Sequence, residues 1–279
     1  MKVAIVGGAG KMGRLLGGYL KGNGHEISII DPKAASSGFT STKISSVREV
    51  DVIIVSVPME QMTRVLQEVR INLKKGSQVI ELSSLKSITQ TMMRKIAADG
   101  HTSVSLHPLF GPGIRDLRRA RMALVPVLNE GIEKKLVRKL FPKGKIVVVE
   151  LKEHEHAMTS ILSLTYFSNL LFAASLKKQD LKAFRALTGT TFSIQLTLSE
   201  ALLNEDPSLF ASILLLNPEF SKVAQDFAHR TKILAEQIEK KDRVNVTSQF
   251  KAARKILGDS ESLNQSYQKL YSIISKLDN

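Results

Sequence analysis

Val3-Ala4-Ile5-Val6-Gly7-Gly8-Ala9-Gly10-Lys11-Met12-Gly13 decides the fold. Four apolar residues form a short buried strand, and the glycines behind them match Gly-x-Gly-x-x-Gly at Gly8, Gly10 and Gly13. A periodic stretch from Lys11 to Lys21 follows, so the motif stands between a strand and a helix. Each glycine has a mechanical reason. Gly8 permits the tight turn, Gly10 lets the backbone approach a pyrophosphate, and Gly13 allows close helix–strand packing. The pyrophosphate then rests on the free N–H groups of the helix N-terminus, at Lys11 and Met12.

Asp31 lies eighteen residues beyond Gly13, at the end of the strand-like run Glu26–Ile30. Its carboxylate can accept hydrogen bonds from both ribose hydroxyls, each worth ~1.5–3 kcal/mol. It also repels a 2′-phosphate, which favours NAD; the neighbouring Lys33 keeps NADP open. The plainer role for Asp31 is a turn residue before Pro32. Asp51–Val57 is a continuous apolar run of the kind buried on both sheet faces, and Ser56-Val57-Pro58 at its end falls on the carboxyl edge, where open α/β sheets bind ligands.

Outward from that nucleus, strand-like segments (Gln78–Leu82, Val104–Leu106, Ala123–Val127, Lys145–Leu151) alternate with helical ones (Met59–Leu73, Ser87–Ala98). The alternation predicts an α/β domain over residues 1–151, a doubly wound Rossmann sheet with helices on both faces. Past Leu151 only helical periodicity remains, which predicts an all-α domain over 152–279, with a helix stop and a new cap at Gly258-Asp259-Ser260. Its uncharged stretches 157–176, 186–199 and 207–218 hold more apolar helix than a domain of that size can bury, so a second copy of the chain is expected to cover part of it.

The 279 residues carry 40 Lys+Arg against 26 Asp+Glu, a net charge of +14, with no Cys and no Trp. The composition excludes a disordered chain and a disulfide-stapled module. Ten of the basic residues lie in 115–145, against three acidic ones. Without interleaved aromatics this is a solvated face, or a field that draws an anionic substrate, rather than a nucleic-acid surface. His154 and His156 are two apart and point to different helix faces, so no metal site is expected. Residues 157–176 are uncharged but rich in Ser, Thr and Asn, which argues for a helix among helices and against a membrane span. The start of the chain reads as a strand and leaves no room for a signal peptide; a cytoplasmic protein is expected.

Two further strand ends bring polar groups to the same edge: Glu81-Leu82-Ser83-Ser84-Leu85-Lys86 and Ser105-Leu106-His107-Pro108-Leu109-Phe110-Gly111-Pro112. His107, between an apolar strand and a rigid Pro, is the natural proton acceptor beside a nicotinamide, since an imidazole titrates near ~6.5. Ser84 reads either as its partner or as a helix N-cap.

The glycine loop, the Ser84-Leu85-Lys86 turn, the segment Leu106 to Pro112, Glu153-His154-Glu155-His156-Ala157-Met158-Thr159 and Asp206-Pro207-Ser208-Leu209-Phe210-Ala211 together resemble the prephenate dehydrogenases of tyrosine biosynthesis. The resemblance implies a helical dimerisation domain and NAD(P)-dependent oxidative decarboxylation of prephenate, or of the closely similar arogenate. His107 would bond the substrate's ring hydroxyl, Ser84 would hold both, and Lys86 would meet a carboxylate or stabilise the loop. With the glycine loop at the start of the chain, no fused chorismate mutase domain is expected. In two places the chain departs from the family. Its second-domain arginines for the substrate carboxylates have no counterpart in Thr191–Ala201, and an expected histidine is Tyr166. Arg115, Arg118, Arg119, Arg185 and Arg230 are the substitute cations to consider. A related dehydrogenase with another substrate, or a cofactor sensor without turnover, also fits.

Overall fold

The computed structural model describes residues 1–32, 43–118, 120–177, 180–258, 263 and 265–275. They form two compact units, Met1–Met158 and Thr159–Asn279. Lys33, Arg119, Asp259 and Ser260 lie outside the described residues.

The first unit is built on a sheet of seven strands among the described residues: β1 (Lys2–Val6), β2 (Glu26–Ile30), β3 (Val52–Val55), β4 (Gln78–Glu81), β5 (Thr102–Pro108), β6 (Arg121–Val125) and β7 (Lys145–Val148). Their order is β2-β1-β3-β4-β5-β6-β7, parallel except where β6 runs against β5. Helices cover both faces. Val3, Ile5, Val52 and Ile54 turn toward Leu16 and Leu20 of α1 (Lys11–Gly22) and Leu136, Val137 and Leu140 of α4 (Glu130–Leu140). Ala4, Val6, Ile53 and Val55 turn toward Met62, Val65 and Leu66 of α2 (Met59–Arg70) and Met92, Met93 and Ile96 of α3 (Gln90–Ala98). This period-two division between two covered faces is why the strands read as unbroken apolar runs.

Chain order reverses direction beside β1, where β2 lies on one side and β3 on the other. The crevice at such a reversal is where doubly wound sheets take ligands. The loop after β1 and the Ser56-Val57-Pro58 segment after β3 flank it.

Two boundaries differ informatively from expectation. The helix foreseen over Ser87–Ala98 starts only at Gln90. Residues before it wrap around the Lys86 carbonyl, which accepts from the Thr89 N–H, the Gln90 N–H and the Thr89 hydroxyl. Strand β5 extends two residues past the expected Leu106, because β6 pairs with it there and places His107 opposite Ala123. Helix α5 (Leu151–Met158) belongs to this unit through hydrogen bonds of His154 and Glu155 to His107, Lys86 and Ser87.

The second unit is helical: a π-helical turn at Thr159–Leu164, then α6 (Thr165–Ala174), α7 (Leu181–Leu187), α8 (Thr190–Leu203), α9 (Pro207–Leu215), α10 (Phe220–Glu239), α11 (Arg243–Leu257) and α12 (Ser266–Ile274). Gly258, at φ +74°, ends α11 in the left-handed region that suits glycine, as the expected helix stop requires. Its buried polar groups pair with one another. Ser163 donates to the Ile213 carbonyl and accepts from Asn217, while Asn169 Oδ1 accepts from Gln195 and Ser199. The uncharged stretch 157–176 therefore turns polar side chains inward and leaves Ile161, Leu170 and Leu171 exposed. The helical stretch Leu151–Ala174 is long and apolar enough to cross a membrane by length and composition alone.

Candidate active site

Two carboxyl-edge loops and the end of β5 build the site. After β1 the chain turns at Gly7, whose φ of +80° is left-handed and whose missing Cβ would stand 2.3 Å from the Ser56 carbonyl oxygen. The tight turn expected at Gly8 is thus made one residue earlier. Gly8 is small for another reason, because a Cβ there would meet Ile29 Cδ1 at 2.4 Å. At Gly13 a Cβ would lie 2.6 Å from both the Gly7 oxygen and Gly8 Cα, the close helix–strand approach that its place in the motif predicts. Gly10 differs: a Cβ would touch only the Gly7 oxygen, at 3.3 Å, so its backbone faces open space.

Helix α1 begins at Lys11 with no side-chain cap and no acidic residue in its first turn. The N-terminal N–H groups of Lys11, Met12 and Gly13 therefore suit an anion. Asp31 stands beside the loop, its Oδ2 accepting from the Ala9 N–H at 3.0 Å, and Arg14 Nε donates to the Ala9 carbonyl at 2.7 Å. Ser56 donates its N–H to the Val6 carbonyl, and Pro58 caps α2. The open face of Gly10, the uncapped helix and the adjacent carboxylate fit the phosphates and ribose of a dinucleotide.

The second loop leaves β4 at Glu81, which is fully buried. Glu81 Oε1 accepts from Lys86 Nζ at 2.8 Å and from the Ser105 hydroxyl; Oε2 accepts from the Ser83 N–H at 2.8 Å and its hydroxyl at 2.5 Å. Lys86 is itself 0% exposed and also donates to the Leu106 carbonyl at 2.9 Å. Of the two roles foreseen for Lys86, the ammonium thus meets a carboxylate of the protein and braces the loop, with no surface left for a substrate. Burial pushes its pKa down, against the opposing pull of Glu81 and Glu155. Ser84 is half-buried, six residues before α3, which removes the N-cap role.

The third element is the end of β5, which carries His107 just past the level of the end of β4 and on the same face as Ser105. Its Nδ1 lies 3.1 Å from His154 Nε2, and the two rings meet edge to face at 5.3 Å. His154 Nδ1 lies 3.0 Å from Glu155 Oε1. That carboxylate also accepts from the Lys86 N–H at 2.8 Å and the Ser87 hydroxyl at 2.6 Å. Among the described residues His107 Nε2 has no hydrogen-bond partner, so of the two ring nitrogens it is the one not engaged by the protein. Burial and then the Lys86 charge hold the His107 pKa well below the ordinary imidazole range. Burial pushes the Glu155 carboxyl up, but the bonds from His154, Ser87 and the Lys86 N–H outweigh it and leave the pKa lowered.

The structure thus places Gly10, Gly13, Asp31, Ser56 and His107 at the carboxyl edge of one sheet; His154, Glu155, Glu81 and Ser105, bonded around His107 and Lys86, are not among the site residues singled out from the sequence. His154 does point inward and His156 outward, as their spacing requires. The available signal for Glu81 was an acid ending an apolar strand, five residues before a lysine.

A nucleotide-receiving glycine loop at the reversal of a doubly wound sheet, followed by a separate all-helical unit, marks a Rossmann-type dinucleotide-binding protein. Residues 17–126 match the nucleotide-binding domain of prephenate dehydrogenase, and residues 150–252 match its dimerization domain. The chain belongs to the prephenate dehydrogenase family.

A protein of Methanocaldococcus jannaschii described as "Probable arogenate/prephenate dehydrogenase" is 26% identical over 96% of this chain and 63% of its own length. The chain thus spans less than two thirds of that relative. The T-protein of Haemophilus influenzae is 28% identical over 92% of this chain and 67% of its own. Among solved structures, an Aquifex aeolicus prephenate dehydrogenase in complex with hydroxyphenyl propionate and NAD+ superposes with a TM-score of 0.70 at 19% identity, covering 91% of this chain and 96% of that one. That likeness establishes the fold.

Proposed function

We propose that this chain is an NAD-dependent dehydrogenase that converts prephenate to 4-hydroxyphenylpyruvate by oxidative decarboxylation, with arogenate as the alternative substrate. The observation that carries the reading is His107: a buried imidazole near the carboxyl end of β5 whose Nδ1 is engaged by His154 and whose Nε2 has no hydrogen-bond partner among the described residues.

Gly10, Lys11, Met12 and Gly13 hold the pyrophosphate through backbone N–H groups, and Asp31 holds the ribose. Bound NAD supplies the acceptor for the hydride that leaves the carbinol carbon. His107, kept neutral by its surroundings, takes the hydroxyl proton at Nε2. Ser84, on the neighbouring loop, holds that hydroxyl with it. Departure of CO₂ aromatises the ring and leaves a phenolate oxygen, which recovers the proton from His107. The cycle thus ends with the imidazole neutral.

Arg118 is bonded to Asp116, Arg185 to Glu200 and Arg230 to Asp226, so three of the five substitute cations are engaged. Arg115 is exposed and has no such partner among the described residues. The relatives also include a Streptomyces pristinaespiralis protein named 4-amino-4-deoxyprephenate dehydrogenase, 21% identical over 92% of each chain. Both facts favour, as the second reading, a dehydrogenase of this family with a different ring substrate.

A steady-state assay offering prephenate and arogenate with NAD and NADP separates these readings. NADH formation with prephenate is the expected result, and no turnover of either acid would remove the proposal. Asp31→Ala is expected to narrow the preference for NAD; if the parent already works better with NADP, the assignment of Asp31 fails.

The helical unit supports a homodimer. Leu187 is 83% and Leu215 80% exposed in the single chain, and the same helical unit also bares Ile161, Leu170 and Leu171. Monomers seldom leave so much aliphatic surface in water. Light scattering is expected to give twice 30.8 kDa; a monomer at micromolar concentration would contradict the reading.

A further inference from the structure

The geometry points to a positioning role for His154 and Glu155: together they hold His107 in the tautomer that carries its proton on Nδ1 and its lone pair on Nε2. Nothing in an isolated imidazole imposes that choice. Here it follows from the far end of the chain of hydrogen bonds. A carboxylate can only accept, so at 3.0 Å from Glu155 Oε1 the Nδ1 of His154 is the donor. In the neutral form of His154, the ring then presents a lone pair on Nε2. That atom faces His107 Nδ1 at 3.1 Å, which must therefore carry the proton. Glu155 cannot turn away, because the Lys86 N–H and the Ser87 hydroxyl each hold one of its oxygens. The edge-to-face packing of the two rings fixes their relative tilt.

The same arrangement serves the protonated state. When His107 gains a proton at Nε2, its Nδ1–H still donates to His154. The Glu155 charge then faces the new cation across one imidazole, opposing the repulsion from Lys86. This catalytic consequence rests on the dehydrogenase reading above; the tautomer does not.

Two measurements test the inference, and they fail separately from the functional reading. In protein with ¹⁵N-labelled histidines, the ring-nitrogen spectrum should show the His107 proton on Nδ1, with the signal assigned by its loss in His107→Asn. Six histidines keep that spectrum readable. A proton on Nε2 in the parent protein would overturn the inference, whether or not any substrate is turned over.

The second measurement uses two variants of His154. His154→Phe keeps the ring's bulk but offers no acceptor; turnover should fall about 10²–10⁴-fold, with KM for NAD held, the range from a lost general base to a wrong tautomer. His154→Gln can accept from His107 through its carbonyl and donate to Glu155 through its amide, and should restore most of the loss. A merely structural role predicts the reverse order, since an apolar ring suits a buried space better than an amide. Equal turnover in both variants, or Phe above Gln, would also overturn the inference.

Discussion

His107→Asn is expected to lower turnover by at least about 10²-fold while leaving the dissociation constant for NAD unchanged. Asn preserves a polar side chain of similar reach but cannot accept a proton at neutral pH, so the loss reports the base rather than the shape of the site. Isothermal titration with NAD beside the steady-state assay separates the two effects. A variant with full turnover would take His107 out of the chemistry; one that also fails to bind NAD would show that the residue supports the cofactor loop instead. The pH dependence follows from the same environment. The base works only when neutral, so activity is lost as pH falls through its folded pKa. Burial first, and then the Lys86 charge, push that value down. The acidic limb of kcat/KM should therefore lie well below the ~6.5 of an ordinary imidazole, and a limb at or above that value would contradict the environment described here.

Where the sequence was informative, the physics was local. Val3–Val6 followed by Gly8, Gly10 and Gly13 specifies a strand, a close turn and a helix that must approach one another, and no distant residue is needed to see it. The steric demand at Gly13, where a Cβ would strike the Gly7 oxygen at 2.6 Å, shows why the spacing is rigid. His107 was legible for a similar reason, since an apolar strand aims it at an edge already marked as a ligand site. Its partners were not. His154 and Glu155 reach it from a helix 47 residues further on, and only the pairing of β5 with β6, together with the wrapped Lys86 turn, brings them together. In a one-dimensional reading His154 was one of two histidines at an unhelpful metal spacing. The turn at Gly7 shows a smaller failure of the same kind. Gly7 and Gly8 are both glycine, and only the position of the Ser56 carbonyl tells which of them must be left-handed.

Lys86→Met should lower the free energy of unfolding by roughly 3–5 kcal/mol. The reason is the carboxylate it leaves behind. Glu81 and Lys86 are both fully buried, so the charge on Glu81 has no water to turn to when the ammonium goes. Methionine fills most of the lysine stem's volume, which separates the electrostatic loss from a cavity. The Leu106 carbonyl, which accepts from Lys86 Nζ, loses a donor as well. Adding Glu81→Gln to Lys86→Met removes the stranded charge, while the amide carbonyl can still accept from the Ser83 N–H. The double variant should therefore recover part of the loss, the signature of a charge left unpaired rather than of packing disturbed. Urea midpoints with matched slopes measure both effects. A single variant within about 1 kcal/mol of the parent would mean that the buried pair contributes no more than a surface ion pair does. The same substitution removes a cation that opposes protonation of His107, so any residual activity of Lys86→Met should show its acidic limb displaced to higher pH. Those two shifts, one in stability and one in titration, arise from a single ammonium between the loop after β4 and the strand that carries the base.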